Sequence, residues 1–125
     1  MTADAPAASA ARRIVPRLPG SLFHVPLAVG ASTADAVDAS RAAGLQVVAA
    51  DVAGEDLLAL QAAGALAGPT AWLFGNEARG LDEEALALAD LSLRLPIYGA
   101  AESLNLATAA SVCLYETAFA QRAAD

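Results

Sequence analysis

The stretch "PTAWLFGNEARGL", Pro69 to Leu81, decides how the rest of the chain is read. Its apolar run, Ala71 to Phe74, has the length and character of a buried strand. The run stops at Gly75-Asn76-Glu77, with Arg79 and Gly80 close behind. A strand ending this way either enters a solvated turn before a helix or delivers polar groups to a site. The segment is not a nucleotide P-loop, because no Lys-Ser/Thr follows the second glycine, and the chain contains no G-x-G-x-x-G. The glycines instead suit tight turns and close backbone approach to a ligand. Glu77 is suited to hold a hydroxyl or a neighbouring loop, and Arg79 to contact a phosphate.

A second polar stretch, "PIYGAAESLNLATAAS" from Pro96 to Ser111, poses the same choice. Ser103 and Asn105 stand two residues apart at the start of an apolar helix. Helix capping is one reading of such residues. The other is a pair of small polar groups holding a ligand.

Working outward, Val25 to Val29 reads as a short strand among Pro16, Pro19 and Pro26, which exclude helix there. Ser32 or Thr33 caps a helix running to about Ala43, and Gly44 stops it. "LQVVAAD", ending at Asp51, reads as a strand buried on both faces. Glu55 to Ala63 is a short helix or a loop with one turn. After Phe74, Asp82 caps a helix over Glu83 to Ala89, whose acidic first turn suits the helix dipole. Leu91 to Leu95 is a further strand, and a last helix runs from about Leu104 to Arg122. This alternation predicts an α/β fold with a mostly parallel sheet flanked by helices. Ligands of open α/β sheets bind beyond the carboxyl ends of the strands. The stretches after Phe74 and after Leu95 both fall there, in position to build one site together.

The chain has 125 residues, which suits one compact domain, and 57% are hydrophobic, many of them Ala. The net charge of -7 counts against simple electrostatic binding to nucleic acid, which needs many cations to displace counterions. A local basic patch remains compatible with it. The single cysteine, Cys113, has no internal disulfide partner and fits a reducing cytoplasm. No Cys/His cluster has metal-ligand spacing, and no apolar run approaches the roughly 18 residues of a membrane span. Residues 1–13 are expected to form a disordered lead-in, with the folded domain over 14–125. His24, Trp72 and Cys113 are read as structural.

The motifs "LFGNEARGL" and "LRLPIYGAAESLNLATAASVCLYE" resemble the second and third motifs of the SpoU/TrmH RNA methyltransferases of the SPOUT superfamily, and "PGSLFHVPL" resembles the segment before that family's third strand. The resemblance implies a SPOUT-type sheet with a C-terminal deep trefoil knot, an exception to the rule that chains are unknotted. It implies methyl transfer from S-adenosyl-L-methionine to a ribose 2′-hydroxyl of rRNA or tRNA. By motif, the cofactor contacts are Gly75, Asn76, Leu95, Pro96, Ile97 and Leu104. The polar members of the active site are Glu77, Ser103 and Asn105. The resemblance also implies a homodimer through the knot region and final helix, with Leu106, Val112, Leu114 and Tyr115 as interface or core residues. The family's first motif, an Asn-x-Gly followed by an Arg, has no likeness upstream of Ile14. The chain is therefore expected to be the C-terminal portion of such an enzyme, N-terminally truncated. The alternative is a catalytically inactive knotted module that binds the cofactor and dimerises.

Overall fold

A computed structural model of the chain describes residues 26–76, 79–97 and 105–124. The lead-in 1–13 and His24 lie outside them. The chain divides into two units at Ala39/Ser40. In the first, Pro26 to Val29 form no strand, which corrects the strand expected over Val25 to Val29; Val25 itself lies outside the described residues. Pro26 has no N–H to give to a ladder, and Gly30, at φ 90°, turns the backbone away just beyond Val29. Helix α1, Thr33–Ala42, starts where expected, with Ser32 Oγ accepting from the Asp35 N–H at 3.1 Å. Past its end, Gly44 takes the left-handed conformation at φ 86°.

The second unit is built on a three-stranded parallel sheet. Strand β1 is Gln46–Asp56, β2 is Thr70–Leu73 and β3 is Leu91–Arg94, in the order β2-β1-β3. Helix α2, Leu57–Ala62, links β1 to β2, and α3, Glu83–Leu88, links β2 to β3. Helix α4, Leu106–Ala124, ends the described chain. Central β1 is closed on both faces, as its unbroken apolar run requires: Val47, Val48 and Ala49 are all buried.

Register places Val48 opposite Trp72 on one side and Leu91 on the other. That face carries the core of Val48, Leu57, Leu60, Leu66, Leu93 and Cys113, with Trp72, Phe74, Leu95 and Ala120 packed against it. Trp72 Nε1 donates to Thr117 Oγ1 at 2.9 Å, and that hydroxyl donates to the Cys113 carbonyl at 2.7 Å, so the polar atoms that α4 brings into the core are satisfied. Cys113 is fully enclosed, and burial pushes its thiol up to about 11, as befits a packing residue.

Two carboxylates set the ends of elements. Asp82 Oδ1 accepts from the Ala85 N–H at 2.8 Å and caps α3. Asp90 joins β3 to β1: its Oδ2 accepts from the Val47 N–H at 2.7 Å, and its Oδ1 from Arg41 Nη2 at 3.1 Å. The Val47 N–H, then Arg41, hold the Asp90 carboxyl below its ordinary value.

Candidate functional site

Because the strands are parallel, their carboxyl ends share one edge of the sheet, and a cavity of about 860 Å³ opens there. Three of the segments that line it carry sequence-predicted site residues. Gly75 and Asn76 follow β2, Leu95 to Ile97 follow β3, and Asn105 begins α4. These six sequence-predicted site residues are thus brought to one cavity. Glu77, Ser103 and Leu104 lie outside the described residues.

The loop after β2 explains the two glycines. Asn76 and Gly80 form an antiparallel bridge, with the Gly80 N–H donating to the Asn76 carbonyl at 2.9 Å. The Asn76 side chain also faces inward to the loop, its Oδ1 accepting from the Arg79 N–H at 2.7 Å. Closing the loop this tightly presses Gly75 onto the backbone of Gly80 and Leu81, and a Cβ at position 75 would overlap those atoms. Gly80 has φ 67°, a conformation that L side chains rarely adopt. One glycine is needed for space and the other for conformation.

On the opposite side, Leu95 leaves β3 still packed against the core, and Pro96 fixes the backbone as it turns away. Asn105 caps α4: its Oδ1 accepts from the Ala107 N–H at 2.9 Å and the Thr108 N–H at 3.3 Å. The capping reading therefore holds for Asn105. Its Nδ2 donors take no part in the cap, so capping and facing the cavity are compatible.

The third wall was not foreseen. Strand β1 does not end at Asp51. It leaves the ladder with β3 after Ala50 and rejoins it at Glu55, so that Asp51 to Gly54 form an excursion. Ala50, Asp51 and Val52 line the cavity, as do Asp56 and Arg94. Asp56 is the N-cap of α2, accepting from the Leu58 and Ala59 N–H groups, which settles Leu57–Ala62 as a helix. The signal in the sequence was "DVAGED": a polar, glycine-bearing interruption after an apolar run, at a strand's carboxyl end.

The cavity therefore has an apolar floor from Phe74, Leu93 and Leu95, irregular main chain on three sides, and two Arg and two Asp side chains on its walls. Such a surface suits a ligand with a flat apolar part and polar edges read by main-chain groups. Among the described residues no group of His, Cys, Asp and Glu could hold a metal ion, and no helix is long and apolar enough to cross a membrane.

Comparison with known proteins gives the same picture. The model of the SpoU rRNA Methylase family matches residues 6–115. A tRNA (guanosine(18)-2′-O)-methyltransferase of Thermus thermophilus is 54% identical over 48 residues, covering 38% of this chain and 25% of the relative. An uncharacterized tRNA/rRNA methyltransferase of Archaeoglobus fulgidus is 35% identical over 96 residues, covering 77% of this chain and 41% of the relative. Among solved structures, the SpoU methyltransferase AviRb from Streptomyces viridochromogenes, in complex with the cofactor AdoMet, superposes with a TM-score of 0.68 at 36% identity, over 85% of this chain and 42% of that one. The chain thus spans less than half the length of these relatives.

Proposed function

The chain belongs to the SpoU rRNA Methylase family, and from that premise we propose that its cavity binds S-adenosyl-L-methionine for methyl transfer to a ribose 2′-hydroxyl of rRNA or tRNA. The observation that carries this reading is the meeting of two motif segments, separated by about twenty residues of chain, around one cavity at the carboxyl ends of β2 and β3. The cofactor would supply an electrophilic methyl group carried on a sulfonium. A volume of about 860 Å³ accommodates a molecule of that size.

In this reading Gly75, Asn76, Leu95, Pro96, Ile97 and Leu104 hold the cofactor largely through main chain, since their side chains are absent, apolar or engaged within their own loops. Glu77, Ser103 and Asn105 are the polar members: Glu77 and Asn105 orient the ribose or brace the loops, and Ser103 helps place the acceptor. Methyl transfer asks the protein chiefly for alignment of acceptor oxygen, methyl carbon and leaving sulfur, and for departure of the hydroxyl proton. Tightly closed loops on a rigid sheet suit the first demand. Relatives named as 2′-O-methyltransferases favour this reading over an inactive module.

The family's deep trefoil knot is proposed for the segment from β3 into α4. A homodimer through α4 is proposed with it. Val112, Tyr115 and Phe119 form a stripe at helical spacing and are exposed at 36%, 65% and 58%, with the two rings 5.9 Å apart. Leu114, 55% exposed, lies beside them, so the expected interface residues Val112, Leu114 and Tyr115 are not core. Leu106 lines the cavity. The proposed compartment is the cytoplasm, where RNA substrates and an unpaired thiol coexist.

Two assays test the proposal. Calorimetry with S-adenosylmethionine is expected to give saturable binding. Transfer of a labelled methyl group to tRNA or rRNA is expected to place it on a ribose. A folded chain that takes up no cofactor overturns the binding assignment, and one that binds it yet labels neither RNA overturns the activity for this chain.

A further inference from the structure

Arg94 ends β3 and has no part in the reading above. Its Nη1 donates to the Gly54 carbonyl at 3.0 Å, and its Nη2 lies 3.7 Å from Asp56 Oδ2. Those two contacts bracket the point at which β1 returns to the ladder after its excursion. At that point Gly54 is buried so closely on β3 that a Cβ would lie 2.5 Å from Leu93 N and 2.6 Å from Leu93 Cα. Among the described residues the excursion has little else to fix it. Val52 is 78% exposed, and the local tie is the Ala53 N–H donating to Asp51 Oδ2 at 3.2 Å. Asp56, by contrast, is already held by the α2 cap through its Oδ1.

We propose that Arg94 is a positioning residue: by bridging the Gly54 carbonyl and the Asp56 carboxylate, it fixes the Asp51–Gly54 excursion as a wall of the cavity and so sets how tightly the cavity holds S-adenosylmethionine. This deepens the proposed function and rests on it. Arginine suits the task because its planar fork reaches two acceptors at once from a preset geometry. A lysine ammonium at the same position is a point donor on a looser stem. The carbonyl bond carries most of the effect, since the ion pair is long and about half exposed and contributes little. Without the tie the excursion samples positions that leave the cavity open on one side, and apparent affinity falls by the fraction of chains still closed.

The test uses the full chain as wild type, Arg94→Ala, Arg94→Lys and Asp56→Asn. Calorimetry measures S-adenosylmethionine affinity, and hydrogen exchange by mass spectrometry follows Ala53 and Gly54 without ligand. Arg94→Ala is expected to bind roughly two- to tenfold more weakly, the range of one net hydrogen bond. Exchange should rise at Ala53 and Gly54 and stay unchanged at Val47 to Ala49. Arg94→Lys should recover part of the affinity. Asp56→Asn, which keeps a capping oxygen, should change it less than either Arg94 variant. Wild-type affinity in Arg94→Ala overturns the proposal, and so does a loss accompanied by faster exchange throughout β1, which would mark general destabilisation. Should Arg94→Ala fail to fold, Arg94→Lys decides on the same two readouts. If the wild-type chain itself takes up no S-adenosylmethionine, the methyl-donor reading fails. Local exchange in Arg94→Ala then still decides whether the tie holds the excursion.

Discussion

Replacing Gly75 by Ala tests whether the loop after β2 must close as tightly as it does. The added Cβ would overlap the backbone of Gly80 and Leu81, so the loop has to open. Opening breaks two bonds at least: Gly80 N–H to the Asn76 carbonyl, and Arg79 N–H to Asn76 Oδ1. At about 1 kcal/mol net each, the closed loop loses roughly 2 kcal/mol, enough to weaken binding by up to about 30-fold if only the closed loop binds. Gly68→Ala is the matched control, because nothing lies within 4 Å of its new Cβ. It should leave binding unchanged and stability within about 1 kcal/mol. Calorimetry with S-adenosylmethionine measures the effect. Fluorescence of Trp72, the only tryptophan, checks the fold at the stack it makes with Phe74, 6.0 Å away and next to position 75. If Gly75→Ala binds within twofold of wild type with an unchanged spectrum, the closed loop is not what holds the cofactor.

Thr117→Val removes the hydroxyl that links Trp72 to α4 and strands the indole N–H; it should cost about 1–3 kcal/mol and lower the urea midpoint by roughly 1 M, and an unmoved midpoint would refute the link. Asp90 is held below its ordinary value of 3.8 by the Val47 N–H and by Arg41. A depressed carboxyl stabilises the fold above its unfolded value and loses that contribution as pH falls through the folded one. Wild type should therefore exceed Asp90→Asn in denaturant midpoint at pH 6, with the gap closing below about pH 4; a gap independent of pH would remove the charge from the account. Glu at both Tyr115 and Phe119 should turn a sedimenting dimer into a monomer, because each ring pair enters a two-fold interface twice. A wild-type chain that sediments as a monomer at every concentration tested would remove the α4 dimer.

The parts of the fold visible in the sequence were those with a local cause. Ser32, Asp82 and Gly44 mark helix ends because capping and left-handed stops act within one turn. The run Val47 to Ala49 reads as a doubly buried strand because no polar residue breaks it. The strand expected at Val25 to Val29 had a permissive composition, but Pro26 and its neighbours offer no continuous ladder. The excursion of β1 was hidden for another reason. The string "DVAGED" marks an interruption, but where the strand rejoins the ladder depends on the close approach of Gly54 to Leu93, about forty residues away, which a local pattern does not carry. Arg94 was missed with it, because a single Arg at a strand end looks like an ordinary solvent-facing residue until its two acceptors are seen.

The same distinction bears on the site. Gly75, Asn76, Leu95, Pro96 and Ile97 were singled out through motifs and line the cavity, yet the motifs alone do not say why those residue types stand there. The fold supplies the reason for Gly75: its neighbour across the loop is main chain, and no side chain fits between. Where the binding surface is main chain, side-chain identity is constrained by loop shape rather than by chemistry with the ligand. Substitutions that keep the shape should then be tolerated even beside the cofactor, as with Ile97→Val, while Gly75→Ala is not. Asn105 stands between these cases. Its oxygen is spent on the α4 cap, so Asp at that position would preserve the helix while removing the Nδ2 donors. If Asn105 serves the ligand, Asn105→Asp keeps the fold and loses affinity. If it serves only the helix, the two proteins bind alike.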